Sequence, residues 1–376
     1  MIISNDEDAL MIDLYVLILI FVFFIGSKFA LTKETRFLDV LSKDNSVYLR
    51  GMMAIIVLFH HISQVAYEGV LFKYFADFGR FPVSMFFFLS GYGLISQYQE
   101  KGKDYLEGFF KKRILKILVP YLLANVVFYI FKSISAGRLL GISDLKYYVK
   151  NGDTLVPYSW YIIVLIGCYI VFWICARLFG SKGIGMLNIA VAVVGILWMI
   201  LGWITLECRV GGYGIWWFCS VLSFPLGMLV GQKKDAIHKL ITGKNHRYWI
   251  WALASTAFFV FSWLHMYSQS FRSLLGLEPV ISESGATICL FALNGLLFVA
   301  MFLIWGMKVQ CKNKVLEFMG EHSLEVYLYQ GLPILLLSEQ LKKQPLIFIP
   351  VVVLIAVMLG WIGWMESVKI NEKSLL

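Results

Sequence analysis

The stretch IGMLNIAVAVVGILWMILGWITL, residues Ile184–Leu206, decides the fold class because it contains no charged side chain. An α-helix needs about 20 predominantly apolar residues to cross the roughly 30 Å hydrocarbon layer of a bilayer. Within that layer a helix satisfies all of its backbone hydrogen bonds internally, which an irregular segment does not. The stretch is therefore predicted to be a transmembrane helix.

Similar apolar stretches lie on both sides of it, and together they predict an all-α integral membrane protein with about eleven transmembrane helices. The other predicted spans, in chain order, are Ala9–Leu31, Val47–Tyr67, Pro82–Tyr98, Ile114–Ser135, Pro157–Phe179, Tyr213–Gly231, Tyr248–Tyr267, Ser284–Met307, Ser323–Ser338 and Leu346–Met365. The polar segments between them are too short to build a soluble core. No internal repeat or low-complexity linker divides the series.

The composition excludes an ordinary soluble domain. Of the 376 residues, 59% are hydrophobic and only 15% are charged, whereas soluble domains carry about 25% charged residues. The mean hydropathy of +0.75 agrees. The net charge of +9 is better explained by cytoplasmic loops than by nucleic-acid binding. The six cysteines form no CxxC pair, so they indicate neither a metal site nor a disulfide framework.

The distribution of Lys and Arg predicts the orientation of the chain. If the first loop is cytoplasmic, the inside segments hold about twice as many basic residues as the outside ones. We therefore expect the N-terminus outside and the C-terminus in the cytoplasm of a cell-membrane protein. The first eight residues carry three acidic and no basic side chains, which is atypical of a cleaved signal peptide. The predicted organisation is an N-terminal anchor and linker (1–45), a membrane domain (46–366) and a cytoplasmic tail (367–376).

The second predicted span contains an arginine and a histidine on one helix face. In RGMMAIIVLFHH, Arg50 and His61 are eleven residues apart, which is three helical turns plus about 20°, or about 16 Å along the axis. His60 points about 100° away from its neighbour. Ionisable groups inside a membrane span are costly and are functional candidates by default. On burial alone, a histidine that merely packs in the bundle is the alternative interpretation.

These two side chains indicate a reaction that takes place across the membrane. A neutral imidazole at that depth is suited to take a proton from a hydroxyl. A guanidinium at the cytoplasmic end of the helix is suited to bind phosphate or to polarise a carbonyl. Together they predict an anionic cytosolic donor on one side and a proton-transfer centre on the other.

The segment RGMMAIIVLFHH resembles the Arg-x10-His motif of the membrane acyltransferase-3 family, with Arg50 and His61 in the matching places. Five further segments resemble that family in the expected order: VSMFFFLSGYGL (83–94), KKRILKILVPY (111–121), SWYIIVL (159–165), FPLGMLVG (224–231) and MGEHSLEVYLYQ (319–330). The resemblance extends from Ser46 to about Met365. It implies a ten-helix core, so that the first span, Ala9–Leu31, is an addition.

The resemblance also implies an activity: transfer of an acyl group, most simply acetyl from acetyl-CoA, to a hydroxyl of a cell-surface or lipid-linked carbohydrate. His61 is then the general base or a transient acyl carrier, and Arg50 anchors the donor or stabilises the thioester oxygen. The implied partners are acyl-CoA, a carbohydrate acceptor, the lipid bilayer and polysaccharide-synthesis machinery, with no nucleic acid, bound metal or permanent cofactor.

The remaining candidates each have an alternative interpretation. A basic group is expected to bind coenzyme A phosphates, unless it is an ordinary positive-inside loop: Lys111, Lys112, Arg113 and Lys116. A second group is expected to line the substrate site: Ser90, Tyr92, Trp160, Glu325 and Gln330. The Ser90–Tyr92 segment could instead be a small-residue packing site, and Trp160 could belong to an aromatic belt.

Two residues depart from the family pattern. Gln330 stands where the family's late signature commonly has histidine, and an amide cannot shuttle a proton, so His61 is left as the main candidate base. Lys116 stands where the family has one arginine of a paired-arginine motif. Lysine keeps the positive charge but cannot make the two parallel hydrogen bonds that a guanidinium makes to a phosphate or carboxylate.

Two other classes of function fit the same spans. A carrier or flippase would export a lipid-linked saccharide without modifying it, although the chain lacks the internal symmetry common in transporters. A scaffold for a polysaccharide synthase is the third alternative, favoured slightly by Gln330. Turnover of acyl-CoA separates the enzyme from both.

Overall fold

The computed structural model describes residues 6–29, 37–66, 68–209, 212–275 and 285–375, and these ranges are predominantly α-helical. The long helices are α1 (Asp6–Phe24), α2 (Lys43–Ser63), α3 (Arg80–Lys101), α4 (Leu115–Ser135), α6 (Trp160–Phe179), α7 (Ile184–Glu207), α10 (Asn245–Tyr267), α12 (Gly285–Gly306) and α17 (Pro345–Leu375). The short helices are α5 (Ile142–Lys150), α8 (Ser223–Gln232), α9 (Lys234–Thr242), α11 (Gln269–Leu275), α13 (Lys314–Glu321), α14 (Ser323–Tyr329), α15 (Gly331–Leu336) and α16 (Ser338–Lys343). Two-residue strands β1 (Lys28–Phe29) and β2 (Val309–Gln310) pair antiparallel.

Seven helices in the described ranges are long and apolar enough to cross a membrane, which confirms an all-α, multi-pass membrane protein. They are Lys43–Ser63, Phe110–Ser135, Trp160–Lys182, Ile184–Glu207, His246–Tyr267, Gly285–Gly306 and Pro345–Ile370. Each coincides with one of the eleven predicted spans, and Ile184–Glu207 contains the stretch with which the prediction began.

The count of eleven is not confirmed, because four predicted spans do not form long apolar helices. The apolar part of α1 is only Leu10–Phe24, and residues 30 and 31 of its predicted span lie outside the described ranges. Helix α3 is long enough but begins and ends with polar and charged residues. The seventh span is reduced to the ten residues of α8. The tenth is broken at Gln330 into α14 and α15.

Helix α2 is the most deeply buried of the seven long apolar helices. It packs against α13 at a point where no side chain fits between the two backbones. A Cβ atom on Gly51 would lie 1.9 Å from the backbone oxygen of Leu316, and one on Gly320 would lie 1.9 Å from that of Val47. These two glycines therefore fix the end of α2 that carries Arg50.

Helices α3 and α8 cross in the same close manner. A Cβ atom on Gly91 would lie 2.0 Å from the backbone oxygen of Phe224, and one on Gly227 would lie 2.0 Å from that of Phe88. Small residues at such crossings allow helices in a membrane to approach closely. The packing interpretation of the Ser90–Tyr92 segment thus holds for its central glycine.

Helix α1 is joined to the rest of the molecule by a buried carboxylate. Both oxygens of Asp13 accept backbone N–H groups, from Val70 at 2.9 Å, from Leu71 at 2.8 Å and from Phe72 at 2.9 Å. Phe72 begins the 3₁₀ turn Phe72–Asp77, which lies between α2 and α3, and Val70 and Leu71 directly precede it. The first half of α1 therefore lies beside the end of α2 that carries His61.

The α3–α8 crossing gives a prediction for stability. Gly91→Ala should lower the free energy of unfolding by about 1–3 kcal/mol, because the added methyl group forces the two backbones apart. Thermal unfolding of the purified protein in detergent measures the effect. Gly93→Ala is the matched control on the same helix, since a Cβ atom there meets nothing within 4 Å. Equal melting temperatures for the two variants would contradict the close crossing.

Candidate functional site

A cavity of about 780 Å³ lies at the end of α2 that carries His61. Its walls come from the segment before α3, from α5 and the loop after it, from the start of α6, and from the loop between α7 and α8. Of the residues singled out in the sequence, His61 and Trp160 line it. Trp216 also lines it and is 49% exposed.

Two loops of the cavity wall, the loop after α5 and the loop between α7 and α8, contact each other through their backbones. Gly152 has a φ of +63°, and a Cβ atom there would lie 2.6 Å from the Cα of Tyr213. The N–H of Gly212 donates to the backbone oxygen of Lys150 at 3.1 Å. This contact places the loop that follows α5 beside the loop between α7 and α8.

Helix α5 is itself fixed at its N-terminus by an ion pair. The carboxylate of Asp144 accepts from Arg138 at 2.7 and 2.8 Å and from the backbone N–H of Gly141 at 2.7 Å. The hydrogen bond from Arg138 lowers the pKa of Asp144 to about 2, so the carboxylate is ionised at every physiological pH. Tyr147 and Asn151 are thereby held at the cavity.

His61 is 7% exposed and lies under an aromatic ring. The ring of Tyr158 stacks on the imidazole with the centroids 3.8 Å apart and the planes at 16°. Nδ1 of His61 lies 3.2 Å from the side-chain oxygen of Gln64. Because that oxygen only accepts, a hydrogen bond between the two atoms has Nδ1 as the donor, and in a neutral ring this leaves the lone pair on Nε2.

Tyr158 is held in an unusual conformation. Its φ of +68° is in the left-handed region, which a bulky residue rarely adopts without support. The support comes from Tyr327, whose hydroxyl donates to the backbone oxygen of Tyr158. Strained residues of this kind concentrate at functional sites. Nothing in the amino-acid pattern around Tyr158 reveals this conformation, so sequence reasoning missed it.

Arg80 also lines the cavity and was not among the site residues predicted from the sequence. Its guanidinium donates to the side-chain oxygen of Asn294 at 3.1 Å and lies 4.1 Å from the ring centroid of Phe291. Asn294 is fully buried and donates in turn to the hydroxyl of Ser262 at 3.0 Å. An arginine at the start of a predicted span was the signal that could have identified it.

A second polar cluster lies toward the other end of α2. Arg50 and Arg113 both lie within electrostatic reach of Tyr169, and Ser90 contacts the Tyr169 hydroxyl. Nε of Arg50 is buried without a hydrogen-bond partner. The guanidinium of Arg113 lies 5.4 Å from the ring centroid of Tyr105. The structure therefore brings together three of the residues singled out in the sequence.

The other predicted site residues lie apart from both groups. Lys111, Lys112 and Lys116 are exposed on the surface beside Arg113. Tyr92 stacks on Phe88, with the ring centroids 6.4 Å apart.

Glu325 and Gln330 are likewise absent from the lining of the large cavity. Glu325 is buried near Ser367. Gln330 is 1% exposed, and both polar atoms of its amide are buried without a partner.

A smaller cavity of about 140 Å³ lies between the two polar regions. It shares Val57, Val83 and Tyr327 with the large cavity. Its lining also includes Ile117, one helical turn beyond Arg113, and Tyr161, whose hydroxyl contacts Ser90. The two cavities therefore adjoin each other beside the middle of α2. In the described ranges no group of three or more metal-ligating side chains is clustered.

The fold and the site define a multi-pass helical membrane protein with a polar site at each end of one buried helix. The family described as "Acyltransferase domain", acyltransferase-3, matches residues 44–365, and the chain belongs to it. The family confirms the resemblance found in the sequence and establishes a membrane acyltransferase in general terms. No curated protein and no solved structure matches the chain.

The stacked ring gives a prediction for activity. Tyr158→Gly keeps the left-handed backbone but removes the ring over His61, and should reduce acyl transfer about tenfold or more because the imidazole is no longer held in place. Tyr158→Phe keeps the ring and should retain most of the activity. Transfer rates of the two purified variants, at matched melting temperature, test this. Equal activity would show that the stack does not position His61.

Proposed function

We propose that the protein is a membrane-bound O-acyltransferase that moves an acetyl group from cytosolic acetyl-CoA to a hydroxyl group of a cell-surface or lipid-linked carbohydrate. The observation that carries this proposal is the arrangement along α2. An imidazole with a free lone pair lies at the base of a large cavity, and two guanidinium groups lie toward the other end of the helix. Family membership supports the reaction class.

The donor would bind at the end of α2 that carries Arg50. Arg50 makes no direct ion pair with any described residue, and its Nε lacks a hydrogen-bond partner. A phosphate or a thioester oxygen would satisfy this buried donor. Arg113 would hold a coenzyme A phosphate. The exposed lysines Lys111, Lys112 and Lys116 would add long-range attraction for the same anion.

Chemistry would follow at Nε2 of His61. In direct transfer, Nε2 takes the proton of the acceptor hydroxyl as its oxygen attacks the thioester carbon. A carbon–oxygen bond forms, the carbon–sulfur bond breaks, and the coenzyme A thiolate leaves with a proton from the imidazolium. In the alternative sequence, Nε2 attacks the thioester and expels the coenzyme A thiolate; the acceptor hydroxyl then displaces the acetyl group from Nε2, and its proton passes to the freed imidazole and from there to the thiolate. Both reaction routes need the lone pair on Nε2 of His61.

The acceptor would enter through the large cavity on the opposite side of the membrane. A cavity of about 780 Å³ has room for one or two sugar rings, and Trp160 and Trp216 supply apolar faces for stacking. Arg80 and Asp153 supply polar contacts for hydroxyl groups. The excess of Lys and Arg near the Arg50 end supports a cytoplasmic donor side, with the N-terminus outside and the C-terminus inside.

Radiolabelled acetyl-CoA tests the proposal with membranes that contain the wild-type protein, His61→Ala or Arg50→Ala. Label should enter envelope carbohydrate with the wild type, and both variants should lose at least about 100-fold because each removes a group that acts on the reacting atoms. His265→Ala, at the outer end of α10 and away from the cavity lining, is the matched control and should keep full activity. Full transfer by correctly inserted His61→Ala would contradict the mechanism.

The donor site gives a separate prediction. Arg113→Gln should raise the KM for acetyl-CoA about tenfold and leave the KM for the acceptor unchanged, because one charge-assisted hydrogen bond to phosphate is lost. Lys103→Gln removes an exposed charge nearby and should change neither constant. Steady-state kinetics in detergent or nanodiscs measures both. An effect on the acceptor KM alone would place the donor elsewhere.

The second candidate function is a carrier that exports the saccharide without modifying it. The large cavity and the smaller cavity that adjoins it beside α2 are the observations that favour it. Translocation of an unmodified lipid-linked saccharide without consumption of acetyl-CoA would establish the carrier instead of the transferase.

A further inference from the structure

The imidazole of His60, the neighbour of His61 in the chain, is anchored on the loop before α3. Its Nδ1 lies 2.8 Å from the backbone oxygen of Phe75. A carbonyl oxygen only accepts hydrogen bonds, so Nδ1 of His60 carries the proton and donates it. In a neutral ring, Nε2 of His60 is then an acceptor.

Gln64 lies between the two histidines and contacts both. Its side-chain nitrogen, which only donates, lies 3.4 Å from Nε2 of His60. Its side-chain oxygen, which only accepts, lies 3.2 Å from Nδ1 of His61. The orientation of the amide is therefore set by His60, and this orientation in turn requires the proton of His61 on Nδ1.

We propose that Gln64, oriented by His60, is a positioning residue that fixes His61 in the tautomer with its free lone pair on Nε2. His61 donates to Gln64, Gln64 donates to His60, and His60 donates to the backbone oxygen of Phe75, which is the final acceptor. The inference rests on the proposed function, in which Nε2 of His61 is the base. The residue that orients the histidine of a catalytic triad acts by the same physical principle.

The loop that anchors His60 is itself shaped for this contact. A Cβ atom on Gly79 would lie 2.2 Å from Cδ2 of His60, so only glycine lets the imidazole occupy its position. The turn that supplies the Phe75 oxygen is held from α1 by the carboxylate of Asp13. The helix that precedes the family domain therefore supports the chain of hydrogen bonds that ends at His61.

A direct test measures the tautomer without any turnover. Solid-state NMR of the full chain in liposomes, labelled with ¹⁵N-histidine, reports the protonation of each ring nitrogen. The chain has six histidines, and the signals of His61 are those lost in His61→Ala. The wild type should show His61 with Nε2 unprotonated, and Gln64→Leu should show a mixture of tautomers. A wild-type His61 protonated on Nε2 would overturn the inference.

Kinetics supply the second test. Gln64→Leu should lower kcat about tenfold while the KM values for acetyl-CoA and acceptor stay unchanged, because substrate contacts are kept and the active tautomer is depleted. Gln64→Glu should restore most of kcat, since a carboxylate oxygen still accepts from Nδ1 of His61. Gly79→Ala should lower kcat by displacing His60, although it alters none of the hydrogen-bonding atoms.

The controls separate a positioning role from a loss of structure. Gln340→Leu changes an exposed glutamine of α16 and should leave kcat unchanged. Unchanged kcat in Gln64→Leu, or no recovery in Gln64→Glu, would overturn the positioning role. Full activity of His61→Ala would instead overturn the proposed function, whatever tautomer the NMR spectra show.

Discussion

The site depends on one constraint: α2 must keep an arginine and a histidine on one face while most of its surface is buried in the bundle. Isolated polar groups are expensive at that depth, so each must be held by specific partners. His61 is held by Gln64 and the ring of Tyr158. Nε of Arg50 is buried without a hydrogen-bond partner among the described residues. The two ends of the helix therefore differ, and this unpaired donor is what supports the proposal of a donor site at the Arg50 end.

The rest of the bundle keeps α2 in place. Glycine contacts join α2 to α13 and α3 to α8 at distances that admit no side chain. Such crossings fix helix positions to a fraction of an ångström, which catalytic geometry requires. The smaller cavity, which Val57 and Tyr161 line, lies among these helices.

The sequence predicted the parts of the fold that meet lipid directly. Six of the seven long apolar helices, Ile184–Glu207 among them, are less than half buried, and exposure to lipid requires a continuous apolar run. The span count was not confirmed because α3 and α8 pack closely against each other, and a helix surrounded by protein need not be uniformly apolar. The break at Gln330 gave no hydropathy signal either.

The candidate site was predicted to the extent that one helix determines it. The eleven-residue spacing was sufficient to place Arg50 and His61 on one face. Arg80 is the first residue of α3 and Tyr158 lies just before α6, and their meeting at the cavity depends on tertiary packing that no local pattern encodes. Gln64 adjoins the motif, but its role becomes visible only when the Phe75 oxygen is in place beside His60.

The most direct test of the account is a cryo-EM structure of the protein in nanodiscs with a non-transferable acetyl-CoA analogue. The account predicts coenzyme A phosphates within hydrogen-bond distance of Arg113, the thioester beyond Arg50, and the acyl carbon within about 3.5 Å of Nε2 of His61. An acyl group bound elsewhere, with Nε2 of His61 facing only protein or lipid, would contradict it.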